Sequence, residues 1–175
     1  MSKERRWAGL FVLVCLCGCI GSIVYPILLS ARPVGPRVSS LSNVKQLTTG
    51  WLVYVSDFDD VSCPSAHWND VILPYIKDPD TFLDPHLKKE VEQRGFGYSP
   101  MIAKLNLARV EEPGSVVAFG LTSNPGKDAL LTSASVRLHD NYTLFGFVDG
   151  HAKTFSEEEM SRVVWRPKLL KLGEE

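Results

Sequence analysis

Two histidines and an aspartate frame the segment "HDNYTLFGFVDGHAKTF", residues 139–155: His139, nine residues, Asp149-Gly150, and at once His151. Imidazole and carboxylate groups ligate metals and move protons near neutral pH. His139, Asp149 and His151 are therefore the first candidates for a metal centre or an acid–base pair. Period-2 alternation puts Asp149 and His151 on one face of an extended chain, so a shared ion or charge pair is sterically open to them. The competing reading is structural. Tyr142 to Val148 and His151 to Phe155 are rich in aromatic and β-branched residues, which suit a pleated sheet. Asp149-Gly150 between them tolerates the positive φ angles of a type I′ turn. Such a hairpin sets Val148 opposite His151, Gly146 opposite Lys153 and Leu144 opposite Phe155. Phe145 and Phe147 then project to the other face, with Ala152 and Thr154. The spacing favours this hairpin, which needs no metal and no cofactor.

Other reactive groups are fewer. Asp57, Asp59 and Asp60 put three carboxylates in four residues, but the glycine and distant glutamate of a calcium loop are absent. They read as a solvated helix end. His67 beside Trp68 reads as a surface or interface residue rather than a ligand. No G-x-S-x-G, H-E-x-x-H or glycine-rich phosphate loop occurs. An enzyme using His139, Asp149 and His151 is thus the least supported class, and no catalytic residue or small-molecule substrate is assigned. The net charge of −1 over 175 residues argues against nucleic acid, whose binders concentrate basic surface.

The elements that would carry these residues begin with residues 7–29, "WAGLFVLVCLCGCIGSIVYPILL", a stretch without charge. A helix of about 20 such residues crosses a hydrocarbon core of about 30 Å. Lys3, Arg5 and Arg6 precede it and by the positive-inside rule hold the N-terminus in the cytoplasm. The expectation is a basic cytoplasmic segment over 1–6 and a transmembrane helix over 7–30, kinked near its outer end by Pro26. A cleaved secretory signal is one alternative. A second is a lipoprotein box, "LCGC", with Cys19 as the lipidated residue. Cys15, Cys17 and Cys19 lie inside this stretch, where a zinc site would be buried in lipid. Cys63 alone follows, so no intramolecular disulfide can form beyond the stretch.

Residues 31–60 read as a linker and an amphipathic helix. Pro33 and Pro36 interrupt any helix, and Ser39, Ser40 or Ser42 can cap its resumption. Leu41, Val44, Leu47, Trp51, Tyr54 and Phe58 then recur at helical spacing as one apolar stripe. Residues 61–175 read as an extracytoplasmic α+β domain. It holds a short helix at Trp68–Tyr75, limited by Pro74 and Pro79, and loop over 84–100 with a short helix at 87–93. A buried central strand at 114–121 follows, then a long loop over 122–135 of the kind that binds something. A capped helix begins near Ser156, with acid in its first turn.

The order of a basic N-terminus, an apolar span, "SNVKQLTTGWLVYVSDFDD", "HWNDVILPYIKDPDTF" and "LHDNYTLFGFVDGHAKTF" resembles one family. It is similar to the type II secretion pseudopilin-like, or type IV prepilin-like, proteins of the H-X9-DG group common in Planctomycetes, whose signature His139, Asp149 and Gly150 match. The resemblance covers roughly residues 5–158. It implies a type IV pilin-like fold, with a long N-terminal transmembrane helix followed by a small antiparallel sheet with short helices. It also implies a membrane-anchored structural component of a type II secretion or pilus-like apparatus, single-pass in the bacterial inner membrane, with its domain in the periplasm or outside. Its partners would be the membrane, other pseudopilins and secretion-system proteins. The alternative class is an anchored cell-envelope binding module, lipidated or not, with no filament role. The chain departs from the family at named places. A prepilin-type cut falls at Gly9-Leu10 rather than Gly-Phe, and Val14 stands five residues on in place of a glutamate. Ser40 and Asp84 stand where family members often carry cysteines.

Overall fold

The computed structural model describes residues 35–87 and 94–170, together with residues 7, 13, 15, 17–22, 24 and 25. Two compact units divide the chain, Met1–Val34 and Gly35–Glu175. The described residues of the first unit are helical and exposed, Cys15, Cys17 and Cys19 among them. Gly9 and Leu10 lie outside the described residues.

The expectation of a membrane-crossing helix is corrected here. Among the described residues, no helix is long and apolar enough to cross a membrane. The single-pass inner-membrane placement loses its structural basis with it. A charge-free run fixes composition, whereas a span needs about 20 consecutive residues that are helical as well as apolar. Only part of 7–30 is described as helix, and the rest of it lies outside the described residues.

The long helix that is described, α1, runs over Pro36–Asp57 and is a core helix. It starts earlier than the serines suggest. Pro36 sits in its first turn, where a missing N–H costs nothing and the fixed φ is already helical. Val44, Leu47, Trp51, Tyr54 and Val55 are buried along one side. Phe58, expected on the same stripe, is half exposed just beyond the helix and stacks on Tyr54 with ring centroids 4.4 Å apart. Arg37, Lys45 and the hydroxyl residues on its other sides keep this helix too polar for lipid.

A four-stranded antiparallel sheet packs on α1 in the order β1 (Phe96–Tyr98), β2 (Val117–Leu121), β3 (Tyr142–Phe147) and β4 (Ala152–Ser156). β2 and β3 are buried throughout, as a central pair covered on both faces must be. Leu144 and Val148 join Val44, Leu47 and Trp51 in the larger core; Phe145, Phe147 and Phe155 join Val117, Leu131 and Val163 in a smaller one on the other face. α1 approaches β3 very closely. A Cβ on Gly146 would fall 2.1 Å from Thr48 Oγ1 and 3.0 Å from Val44 Cγ1.

The α+β layout with a small antiparallel sheet and few helices is therefore present, with local corrections. β1 falls in what reads as loop, because "GFGYS" looks like turn chemistry. Its glycine is demanded by packing instead: a Cβ on Gly97 would sit 3.0 Å from the backbone of Leu130 and Leu131. Residues 88–93, where a short helix is expected, lie outside the described residues. The helix expected after Ser156 is only a 3-10 turn, Glu158–Arg162. β-branched Val163 and Val164 end it, the first in the smaller core and the second paired with Val116. The 122–135 loop is tied down rather than free, since Leu130 bridges Tyr98 and Thr122 bridges Val136.

Candidate functional site

The H-x9-DG spacing brackets β3. His139 precedes the strand, Asp149 and Gly150 follow it. Six residues at about 3.3 Å each put the two ends on the order of 20 Å apart, so His139 and Asp149 cannot ligate one ion.

At the far end, β3 and β4 pair as Gly146↔Ala152, Phe145↔Lys153 and Leu144↔Thr154. This is one residue away from the expected register. The loop is not a two-residue type I′ turn but a three-residue connection, with Gly150 N–H donating to the Phe147 carbonyl at 2.9 Å and Phe147 N–H donating to the His151 carbonyl at 2.9 Å. Gly150 alone in it takes a positive φ, of 93°, as in a turn followed by a left-handed glycine bulge. Its missing side chain also leaves room for α1, because a Cβ there would stand 2.7 Å from Leu52 Cδ1. Asp149 folds back on its own turn: Oδ1 accepts from the His151 N–H at 3.1 Å and lies 2.6 Å from His151 Nδ1. The His151 ring stacks flat on Phe147, 4.3 Å between centroids.

At the near end, the type I′ geometry does occur. Asp140 and Asn141 have φ of 48° and 63°, and His139 and Tyr142 exchange two backbone hydrogen bonds across them at 2.7 and 3.0 Å. The His139 ring lies 3.8 Å, centroid to centroid, from that of His86. His86 Nε2 is 3.2 Å from the Tyr142 hydroxyl, and the Arg37 guanidinium covers the Tyr142 ring at 4.2 Å.

Behind these rings lies a polar cluster that only Ser40 and Asp84 announce in the sequence. The Asp84 side chain is fully buried. Its Oδ1 accepts from Ser40 Oγ at 2.9 Å and from the His86 N–H at 3.1 Å, and faces His86 Nδ1 at 3.1 Å. Its Oδ2 is ion-paired with Arg137. Burial lowers the pKa of His86 and of Arg137. Serine, histidine and aspartate meet here, yet not in the order a nucleophilic relay needs. Ser40 Oγ and Asp84 both address Nδ1 of His86, whereas a relay places nucleophile and orienting acid on opposite nitrogens. Arg137, in β-bridged chain near the 122–135 loop, gives no motif by which sequence could have found it.

Cys63 is fully buried and its thiol is pushed up to about 11 by burial, which makes it unreactive. Cys19 is exposed. Among the described residues, one group of three metal-ligating side chains comes within reach of a single ion: His67, Asp70 and Asp128. Sequence reading takes His67 for a surface residue and passes over the two aspartates, which are far apart in the chain. The Lys127 ammonium, 2.6 Å from Asp70 Oδ2, holds that carboxyl below the usual range by its hydrogen bond.

No family model, curated protein or solved structure matches this chain.

Proposed function

We propose that this chain is a pseudopilin-like structural subunit of a secretion or pilus-like apparatus, acting by packing against other chains rather than by catalysis. The observation that carries the reading is how the residues of the H-x9-DG pattern are spent. His139 closes a tight turn at one end of β3; Asp149 and Gly150 shape the loop at the other and admit Leu52 of α1. They fix a helix on a sheet, with His139 and Asp149 at opposite ends of β3 rather than converging on one site. Apolar side chains remain exposed on α1, with Val38 59% and Val53 49% accessible, and Phe58 50% just after it. Single exposed apolar residues are ordinary; Val38 and Val53 stand about 60° apart around the helix axis and offer a lateral contact on its outer side.

The test is a photo-crosslinking amino acid placed at Val53 in the producing cells. The expected product is a set of adducts joining this chain to further copies or to other secretion-system subunits. Recovery of the uncrosslinked monomer alone would defeat the proposal. A second reading, a binding module with no filament role, has one observation in its favour: a groove of roughly 490 Å³ beside α1, lined by Lys45, Val53, Tyr75 and Lys77 among others.

A further inference from the structure

His67 and Asp70 are three residues apart at the start of a short helix, α2 (Trp68–Ile72), a spacing that puts both on one side of the first turn. Asp128 arrives from the distant 122–135 loop. Two contacts fix its approach: buried Trp68 donates from Nε1 to the Ala129 carbonyl at 3.0 Å, and the Asn69 N–H donates to Asp128 Oδ1 at 2.9 Å. The second oxygen, Oδ2, is left 3.7 Å from His67 Nδ1. The donor atoms of His67, Asp70 and Asp128 all lie within 4.8 Å of one another.

We propose that these three residues form a binding site for a divalent transition-metal ion of the zinc type. Zinc bonds of about 2.0–2.2 Å to nitrogen and oxygen set tetrahedral donors about 3.3 Å apart. The present separations, none above 4.8 Å, are within about 1.5 Å of that spacing. An imidazole with two carboxylates selects such an ion over calcium or magnesium, which take all-oxygen shells. The fourth position faces solvent, since the His67 side chain is 79% exposed. A cation already serves one of the carboxylates: Lys127 Nζ stands 2.6 Å from Asp70 Oδ2. Metal and ammonium therefore compete for the same carboxylate. The site is independent of the structural role proposed above.

The probe is Zn2+ itself, titrated calorimetrically into the tag-free full chain with Cys15→Ser, Cys17→Ser and Cys19→Ser, which removes the exposed thiols. One saturable site is expected. His67→Ala and Asp128→Asn should each weaken it by at least about tenfold, Lys127→Ala should tighten it, and His151→Ala should leave it unchanged. Asp128→Asn keeps an oxygen for the Asn69 N–H, so folding is preserved; circular dichroism checks this. Absence of a saturable site, a site indifferent to His67→Ala, or one abolished by His151→Ala would overturn the proposal.

Discussion

Asp84 shows how much a single buried carboxylate can organise. One oxygen serves Ser40 and the His86 backbone, the other Arg137, and three chain segments meet on it. A buried charge is tolerated only when its hydrogen-bonding capacity is met. Removing it strands Arg137, whose Nε already lacks a partner among the described residues. Asp84→Ala is therefore expected to cost about 3–5 kcal/mol, read from chemical denaturation. Ser40→Ala, which removes one donor to that carboxylate, should cost about 2 kcal/mol. Equal effects of the two substitutions would mean that the ion pair does not hold the cluster. Ser40 and Asp84 could be singled out in the sequence. Their contact could not, because 44 residues separate them and nothing local encodes the meeting.

Among elements, the β3–β4 hairpin carries the clearest lesson. Its two strands are legible from aromatic and β-branched content, and its tip from Asp149-Gly150. The register is not, because Asp-Gly serves a two-residue turn and a three-residue glycine-bulge loop alike. The choice falls to packing, with Gly146 forced against Thr48 and Phe145 drawn into the smaller core. Gly150→Val should destabilise the domain by about 1–3 kcal/mol, the cost of a β-branched residue held at positive φ. The approach of Leu52 adds to it. A denaturation midpoint unchanged by Gly150→Val would show that the loop can re-form without the left-handed residue.

For the whole molecule, both core clusters lie within 35–175. A chain beginning at Gly35 is expected to unfold in one cooperative transition, as small single domains do. Calorimetry with equal calorimetric and van't Hoff enthalpies would bear this out; a broad, non-cooperative melt would show that residues 1–34 are needed for folding.

What the sequence by itself determined is what short-range patterning encodes: the apolar stripe of α1, a buried strand expected over 114–121 and found at Val117–Leu121, the hairpin after Tyr142 and a small antiparallel sheet with few helices. These rest on side-chain periods of 3.6 and 2, which the chain carries locally. What it misled on is the transmembrane helix over 7–30: lack of charge bounds composition alone, and among the described residues no helix is long and apolar enough to cross a membrane. Only the tertiary structure decided the hairpin register, the strand hidden in "GFGYS", the burial of Asp84 between Ser40 and Arg137, and the approach of Asp128 to His67. Each depends on which distant segments touch, and a long-range contact is selected by the fit of the whole core rather than by any residue's neighbours.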